Sequence, residues 1–261
     1  MLDTPRRAKA AELLRDAERD RAPVEPLTDT FPGIDVVDAY EIQLRNIERR
    51  RAGGVSVRGH KVGLSSEVMQ RMMGVDEPDY GHLLSDMVLS EDVPVDTARY
   101  CQPRIEVEIG YVLGESLPGE ECTEADVIAA TEYVVPGIEL IDSRIADWRI
   151  ALEDTIADNA SSAGVLLGSG RVAPTDLDLA GVGAVLYQGG EEIARGDTSA
   201  VLGDPTVAVA WLARKVAGFG VRLEAGQLVL PGSCTRAVDA RPGDEFRAEF
   251  EGLGSVSARF V

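Results

Sequence analysis

The sequence predicts an α+β protein whose main body is a curled, barrel-like sheet, preceded by a small helical region. Three features of the chain lead to this. Amphipathic helical patterns fill much of the first 54 residues. The run Pro103-Arg-Ile-Glu-Val-Glu-Ile-Gly110 alternates polar and apolar side chains, as a two-faced strand does. From Ala163 onward short apolar runs recur between Gly and Pro residues, with one further helix among them. The expected division is a helical N-terminal region over 1–54 and the main body over 55–261.

In chain order, residues 5–21 alternate Ala and Leu with charged residues, and Thr4-Pro5 is a helix start. Pro23 and Pro26 stop that helix. A second helix is expected from about 36 to 51, with Asp35 as N-cap and Gly53-Gly54 at its end. Val37, Tyr40, Leu44 and Ile47 then share a face. A short strand follows and ends in Lys61, flanked at equal distance by Gly59 and Gly63; Ser65 or Ser66 caps a helix ending at Gly74. Lys61 is either a solvated loop lysine or one placed where glycines let a ligand approach the backbone. His60 and His82 are the only histidines and lack acidic partners at motif spacing, so both read as structural. Residues 75–83 read as a loop from their Pro and Gly content. Asp79 within it is either a turn residue or an acid displayed at a site.

In the alternating strand, Glu106 and Glu108 point one way while Ile105, Val107 and Ile109 point the other. Such a strand can simply show its polar side to water. Alternatively, two adjacent carboxylates need a cation between them, because like charges raise each other's pKa. Thr123-Glu-Ala-Asp126 opens a helix to about Tyr133, resembling a capping box with Asp at its fourth position. The next strand, 134–141, carries Glu139 in a mostly apolar run, where an unpartnered carboxylate is costly. Three oxygen ligands without nearby Cys or His favour Mg or Mn over zinc. Residues 141–164 are dense in Asp, Asn and Ser, a composition shared by functional and ordinary surface loops. Strands at 182–187 and 192–194 flank Gly189-Gly190, a hairpin signal. Asp204-Pro205 starts a helix to Val216 that buries Trp211 and Leu212, and strands follow at 227–231, 245–250 and 255–260.

Lys and Arg total 26 against 45 Asp and Glu, a formal net charge of −19, which argues against nucleic acid or an anionic membrane as partner. An anionic substrate therefore needs a local cation, metal or lysine. Cys101, Cys122 and Cys234 show no metal spacing and read as reduced thiols. The first twenty residues are charged throughout and no apolar run approaches the roughly 20 residues of a membrane helix, so a cytoplasmic protein is expected. Neither GxGxxG, a Walker loop, GxSxG nor CxxC occurs, which excludes the commonest nucleotide and nucleophile chemistries.

Several stretches together resemble one family: Ala39-Tyr-Glu-Ile-Gln43, Gly59-His-Lys-Val-Gly-Leu64, Gly74-Val-Asp-Glu-Pro-Asp-Tyr-Gly81, Pro103-Arg-Ile-Glu-Val-Glu108, Glu139-Leu-Ile-Asp-Ser-Arg144, Ala157-Asp-Asn-Ala-Ser-Ser162 and Gly252-Leu-Gly-Ser255. The chain is similar to the 2-hydroxypentadienoate (2-oxopent-4-enoate) hydratases of the fumarylacetoacetate hydrolase superfamily. His60-Lys61 and the acidic composition especially resemble the 2-hydroxyhexa-2,4-dienoate hydratases of steroid catabolism. The resemblance implies a mixed β-roll core and Mg or Mn held by Glu106, Glu108 and Glu139. It implies Lys61 and Asp79 as catalytic residues, and Lys61, Met73 and Ser161 against the substrate. The implied reaction converts a 2-hydroxydienoate, through the 2-oxo-3-enoate, to a 4-hydroxy-2-oxo acid, with Asp79 as general base for water or as relay for the C5 proton. A homo-oligomer built from dimers and a downstream 4-hydroxy-2-oxoacid aldolase as partner are further implications. Sibling 2-oxo-3-hexenedioate decarboxylases commonly have an apolar residue where Asp79 stands, which tilts the expectation toward hydration. The alternatives are such a decarboxylase, a C–C hydrolase of the same superfamily, or a non-catalytic acidic assembly protein.

Overall fold

The computed structural model describes all residues except 67–69 and 72–73. The interior of the helix expected before Gly74, and with it Met73, lies outside the described residues. Helix α1 (Thr4–Asp20) is capped by Asp3, whose side chain accepts from the Arg6 amide, and ends at Arg21 in a left-handed conformation two residues before Pro23. A short helix α2 (Leu27–Thr30), not anticipated, bridges to α3 (Val36–Ala52). Asp35 caps α3 and Asp38 returns the bond, completing a capping box. Its buried face is Asp38, Ala39, Tyr40, Ile42, Gln43 and Ile47, whereas Val37 is 46% exposed. The stripe expected through Val37 is thus rotated. Helix α3 packs on α1 and on a later helix as well as on the body, so polar Asp38 and Gln43 are drawn inside.

The body comprises two sheets among the described residues. The larger has the order β2-β1-β8-β3-β4-β5, with β9 on β3; the strands are β1 (Val57–Gly63), β2 (Asp79–Leu84), β3 (Arg104–Leu113), β4 (Thr131–Ile141), β5 (Ser162–Leu167), β8 (Leu228–Leu230) and β9 (Val238–Asp239). It is mixed: β1 runs parallel to β8 and antiparallel to β2. The second sheet, β11-β10-β6-β7, uses β6 (Gly183–Gln188), β7 (Glu191–Asp197), β10 (Glu245–Phe250) and β11 (Gly254–Arg259). Its β6–β7 hairpin turns on Gly189 and Gly190, both at positive φ, as a two-residue hairpin requires.

The alternation in β3 decides where the core sits. Ile105, Val107 and Ile109 join a continuous core with Phe246, Ala248 and Val256 of the second sheet, and with Leu14, Tyr40 and Ile42 of the N-terminal helices. Glu106 and Glu108 are thereby turned to the opposite face of the larger sheet. Helices α4 (Glu124–Ala130), with the Thr123–Asp126 capping box, and α6 (Pro205–Ala217), with Asp204 as cap, start where the sequence indicates, but α4 stops short of the expected Tyr133 because β4 already begins at Thr131. Between β4 and β5 lies α5 (Leu152–Ala157), the helix that packs against α3.

A further expectation fails as well. Residues 79–83 are not loop: Asp79–Leu84 is a strand paired with β1, and all six of its residues are buried. Pro78 stands just outside it, where a missing amide costs the ladder nothing. No helix of the described residues is long and apolar enough to cross a membrane.

Candidate metal centre and active site

Strands β3 and β4 pair so that Glu106 stands directly opposite Glu139, while Glu108 lies two residues along β3. One carboxylate oxygen from each of the three falls within 4.8 Å of the others. Glu108 and Glu139 are fully buried, and Glu106 is partly open. Glu108 Oε2 accepts a 2.8 Å bond from the Gly232 amide, but Glu108 Oε1 and Glu139 Oε1 lack a hydrogen-bond partner, and Glu139 Oε2 has the Lys61 ammonium at 3.4 Å. Burial pushes the Glu139 carboxyl up to about 7, against the pull of Lys61. Burial, then the neighbouring Glu139 and Glu106, pushes Glu108 well above the ordinary range, and burial raises Glu106 as well. Orphaned carboxylate oxygens in a buried cluster are expensive without a cation. The donor set, three carboxylates and no sulfur or imidazole, fits a hard divalent ion.

Lys61 enters from β1. Its Nζ lies 3.4 Å from Glu139 Oε2 and donates a 2.9 Å bond to the Ala160 carbonyl. Burial alone would lower its pKa, but Glu139, Asp79, Glu106 and Glu108 outweigh that and hold the ammonium above its ordinary value. It is a fixed, buried cation at the edge of the glutamate cluster.

Asp79 opens β2 and pairs with Gly63 of β1. Its Oδ2 accepts a 2.7 Å bond from Thr155 Oγ1 on α5, while Oδ1 is buried and without a partner. A Cβ on Gly63 would lie 2.2 Å from Asp79 Oδ1 and 3.0 Å from Lys61 Nζ. The missing side chain at 63 therefore creates the space that the two charged groups share. The equal glycine spacing around Lys61 marked this place in the sequence; Gly59 serves differently, letting β1 pass close to the Leu228 carbonyl of β8.

Ser161 lies in a turn in which Asn159, Ala160 and Ser161 all have positive φ, near 56°, 49° and 55°. Such backbone costs non-glycine residues about 1–3 kcal/mol each, so the surroundings must hold it in place. Asn159 exchanges side-chain bonds with the His82 amide and carbonyl, Lys61 holds the Ala160 carbonyl, and the Asp142 amide holds that of Ser161. Behind the turn, Arg144 pairs with Asp158, whose carboxyl burial pushes up to about 7 despite that partner. The Ser161 hydroxyl is buried with no partner. The polar segment 141–164 is thus largely an interior network: Asp142, Ser143, Arg144, Asp154, Thr155 and Asp158 are all buried. His60 and His82 pack ring to ring at 4.8 Å, and His82 Nδ1 donates to Gln43 Oε1, whose amide nitrogen donates to the Tyr80 and Ile156 carbonyls.

Glu106, Glu108, Glu139, Lys61 and Asp79 therefore converge, and Ser161 closes the same turn as the Lys61 acceptor. Two contributors gave no signal in the sequence: Thr155, which holds Asp79, and Gly232, which holds Glu108. A surface concavity of about 550 Å³ lined by Tyr187, Phe246, Arg247 and Arg259 includes none of these residues.

The chain is similar to known proteins in both sequence and fold. The family model for the C-terminal domain of fumarylacetoacetate (FAA) hydrolase matches residues 60–261. A 2-keto-4-pentenoate hydratase of Paraburkholderia xenovorans is 45% identical over 97% of this chain and 94% of its own. A 2-hydroxyhexa-2,4-dienoate hydratase of Comamonas testosteroni is 41% identical over 95% of each. Among solved structures, the 4-oxalocrotonate decarboxylase of Pseudomonas putida, complexed with magnesium and adipate, superposes with a TM-score of 0.97 at 36% identity, covering 100% of this chain and 99% of that one. On both sequence and fold, this chain belongs to the fumarylacetoacetate hydrolase family.

Proposed function

We propose that the protein is a hydro-lyase that adds water to 2-hydroxypenta-2,4-dienoate or its methyl-extended hexadienoate homologue, in the breakdown of aromatic or steroid rings. The observation that carries this reading is Asp79: a buried carboxylate with one oxygen tied to Thr155 and the other free, facing the space it shares with Lys61. The names of relatives at 41–45% identity support the same activity.

Glu106, Glu108 and Glu139 hold Mg or Mn. When bound, the ion supplies Lewis-acid stabilisation of charge on a substrate oxygen. Lys61 binds the substrate's carboxylate or its C2 oxygen, supplying positive charge in a protein whose overall field repels anions. In the first stage the enol gives up its O–H proton and C5 gains one, leaving the 2-oxo-3-enoate. In the second, the oxygen of water bonds to C4 and C3 gains a proton, giving the 4-hydroxy-2-oxo acid. Asp79 Oδ1 takes the proton that the attacking water must lose. Ser161, whose hydroxyl is unpartnered, completes the substrate contacts. The working protein is a cytoplasmic homo-oligomer that passes its product to a 4-hydroxy-2-oxoacid aldolase.

Decarboxylation is the second reading, favoured by the close superposition on a decarboxylase. That reaction needs an electron sink but no activated water, and it leaves the free oxygen of Asp79 without a task. Single-turnover formation of the 4-hydroxy-2-oxo acid by Asp79→Asn, followed by chromatography, tests the choice. Hydration slower by about 10²–10⁴, the usual worth of a general base, is expected; hydration at the parent rate overturns the assignment.

A further inference from the structure

We propose that Thr155 is a positioning residue for Asp79, fixing which of its two oxygens meets the substrate water. The inference rests on the reading of Asp79 as the base. Thr155 Oγ1 donates its single proton to Asp79 Oδ2, at 2.7 Å. Threonine inside a helix commonly turns its hydroxyl back onto the preceding turn's carbonyl. Thr155 instead gives it to a residue 76 positions earlier in the chain, at a site where it is only 1% exposed.

The helix that presents it is pinned from several sides. Asp154, the adjacent residue, is fully buried and accepts from the Thr28 amide at 3.0 Å, the Thr28 hydroxyl at 2.9 Å and the Ala151 amide at 2.9 Å. Gln43 Nε2 donates to the Ile156 carbonyl on the other side of Thr155, at 2.6 Å. Both holding residues, Thr28 and Gln43, come from the N-terminal region. Helix α5 is therefore a fixed platform whose outward product is one donor aimed at one carboxylate oxygen.

A carboxylate turns readily about its terminal torsion, which has broad wells. With Oδ2 tied, that freedom is lost, and Oδ1 stays in the space kept open over Gly63, beside Lys61 Nζ. The N-terminal helices thus act on the chemistry through a relay, Thr28 and Gln43 to α5, then Thr155 to Asp79, without touching the glutamate cluster.

The test compares Thr155→Ser with Thr155→Ala, two variants that differ by one hydroxyl and share the loss of the methyl. Hydration of 2-hydroxypentadienoate is followed in the full-length, Mn-loaded protein. The Ser variant is expected to keep most of the parental kcat, and the Ala variant to fall roughly 10- to 100-fold below it, the range for lost outer partners of a working group. KM and the stoichiometry of Mn binding should be unchanged in both. In an Asp79→Asn background the difference between Ser and Ala should vanish, because residues acting as one unit are non-additive. Equal kcat for Ser and Ala, or the same ratio retained in the Asp79→Asn background, overturns the proposal. Failure of the underlying functional reading looks different: Asp79→Asn alone would then hydrate at the parent rate, whatever stands at 155.

Discussion

Glu106 and Glu139 face each other across adjacent antiparallel strands, one oxygen of each within 4.8 Å of the other and of Glu108. The pairing register of the β3–β4 hairpin therefore builds the cluster. A one-residue slip would send the glutamates of one strand to the core face.

Removing one member should dismantle the centre. Glu139→Gln keeps the shape and removes a charge that Lys61 and the cation share. Stoichiometric Mn binding, measured by equilibrium dialysis, is expected to weaken by more than ~100-fold, since outer partners alone are worth about 10–100-fold. Undiminished binding with full activity after exhaustive chelation would place the metal elsewhere.

Gly63 should tolerate no side chain without loss of turnover. A Cβ there would sit 2.2 Å from Asp79 Oδ1, an atom at the end of a side chain rather than in the backbone, so the carboxylate must leave its place on Thr155 while the sheet keeps its register. Gly63→Ala is thus expected to fold and bind Mn like the parent, yet lose hydration rate by about 10²-fold, the scale of an ångström-level misplacement. A fully active Ala variant would show that the space over residue 63 is not used.

The two histidines give a pH prediction. Burial, followed by the neighbouring His82, depresses His60 far below 6.5, and burial brings His82 to about 4. Each is neutral when folded and takes a proton on unfolding below 6.5. Their contribution to stability is therefore complete above pH 6.5 and is lost as pH falls toward the folded values. For His82 this amounts to about 3 kcal/mol by pH 4. The ring proton resonances should stay flat from about pH 7.5 to 5.5; a titration centred near 6.5 in either ring would contradict this.

The parts of the fold that were legible in the sequence were those with local causes. Asp35, Thr123 and Asp204 announce their helices because a cap acts within one turn. Glu106 and Glu108 were readable from alternation, and Glu139 from its apolar surroundings. What stayed hidden depends on contacts distant in sequence. Strand β2 resembles a loop until β1 lies beside it. Val37 fits the helical stripe, but α3 is covered on more than one side and turns other residues inward. Thr155 meets Asp79 and Gly232 meets Glu108 across 76 and 124 positions, and neither residue type is unusual where it stands. The polar run 141–164 looks like surface because composition does not reveal that its groups satisfy one another in the interior.

The central claim, addition of water under the control of Asp79 beside a three-glutamate metal centre, is tested most directly by product analysis. Enzymatically generated 2-hydroxypenta- and 2-hydroxyhexa-2,4-dienoates, and a 2-oxo-3-enoate dicarboxylate for comparison, would be incubated with Mn-loaded protein and with the Asp79→Asn variant. Chromatography and mass spectrometry identify what is made. The account expects the 4-hydroxy-2-oxo acid, heavier than the monocarboxylate substrate by one water, formed by the parent and slowed by about 10²–10⁴ in the variant. Release of carbon dioxide from the dicarboxylate, with no water adduct of either dienoate, would contradict it.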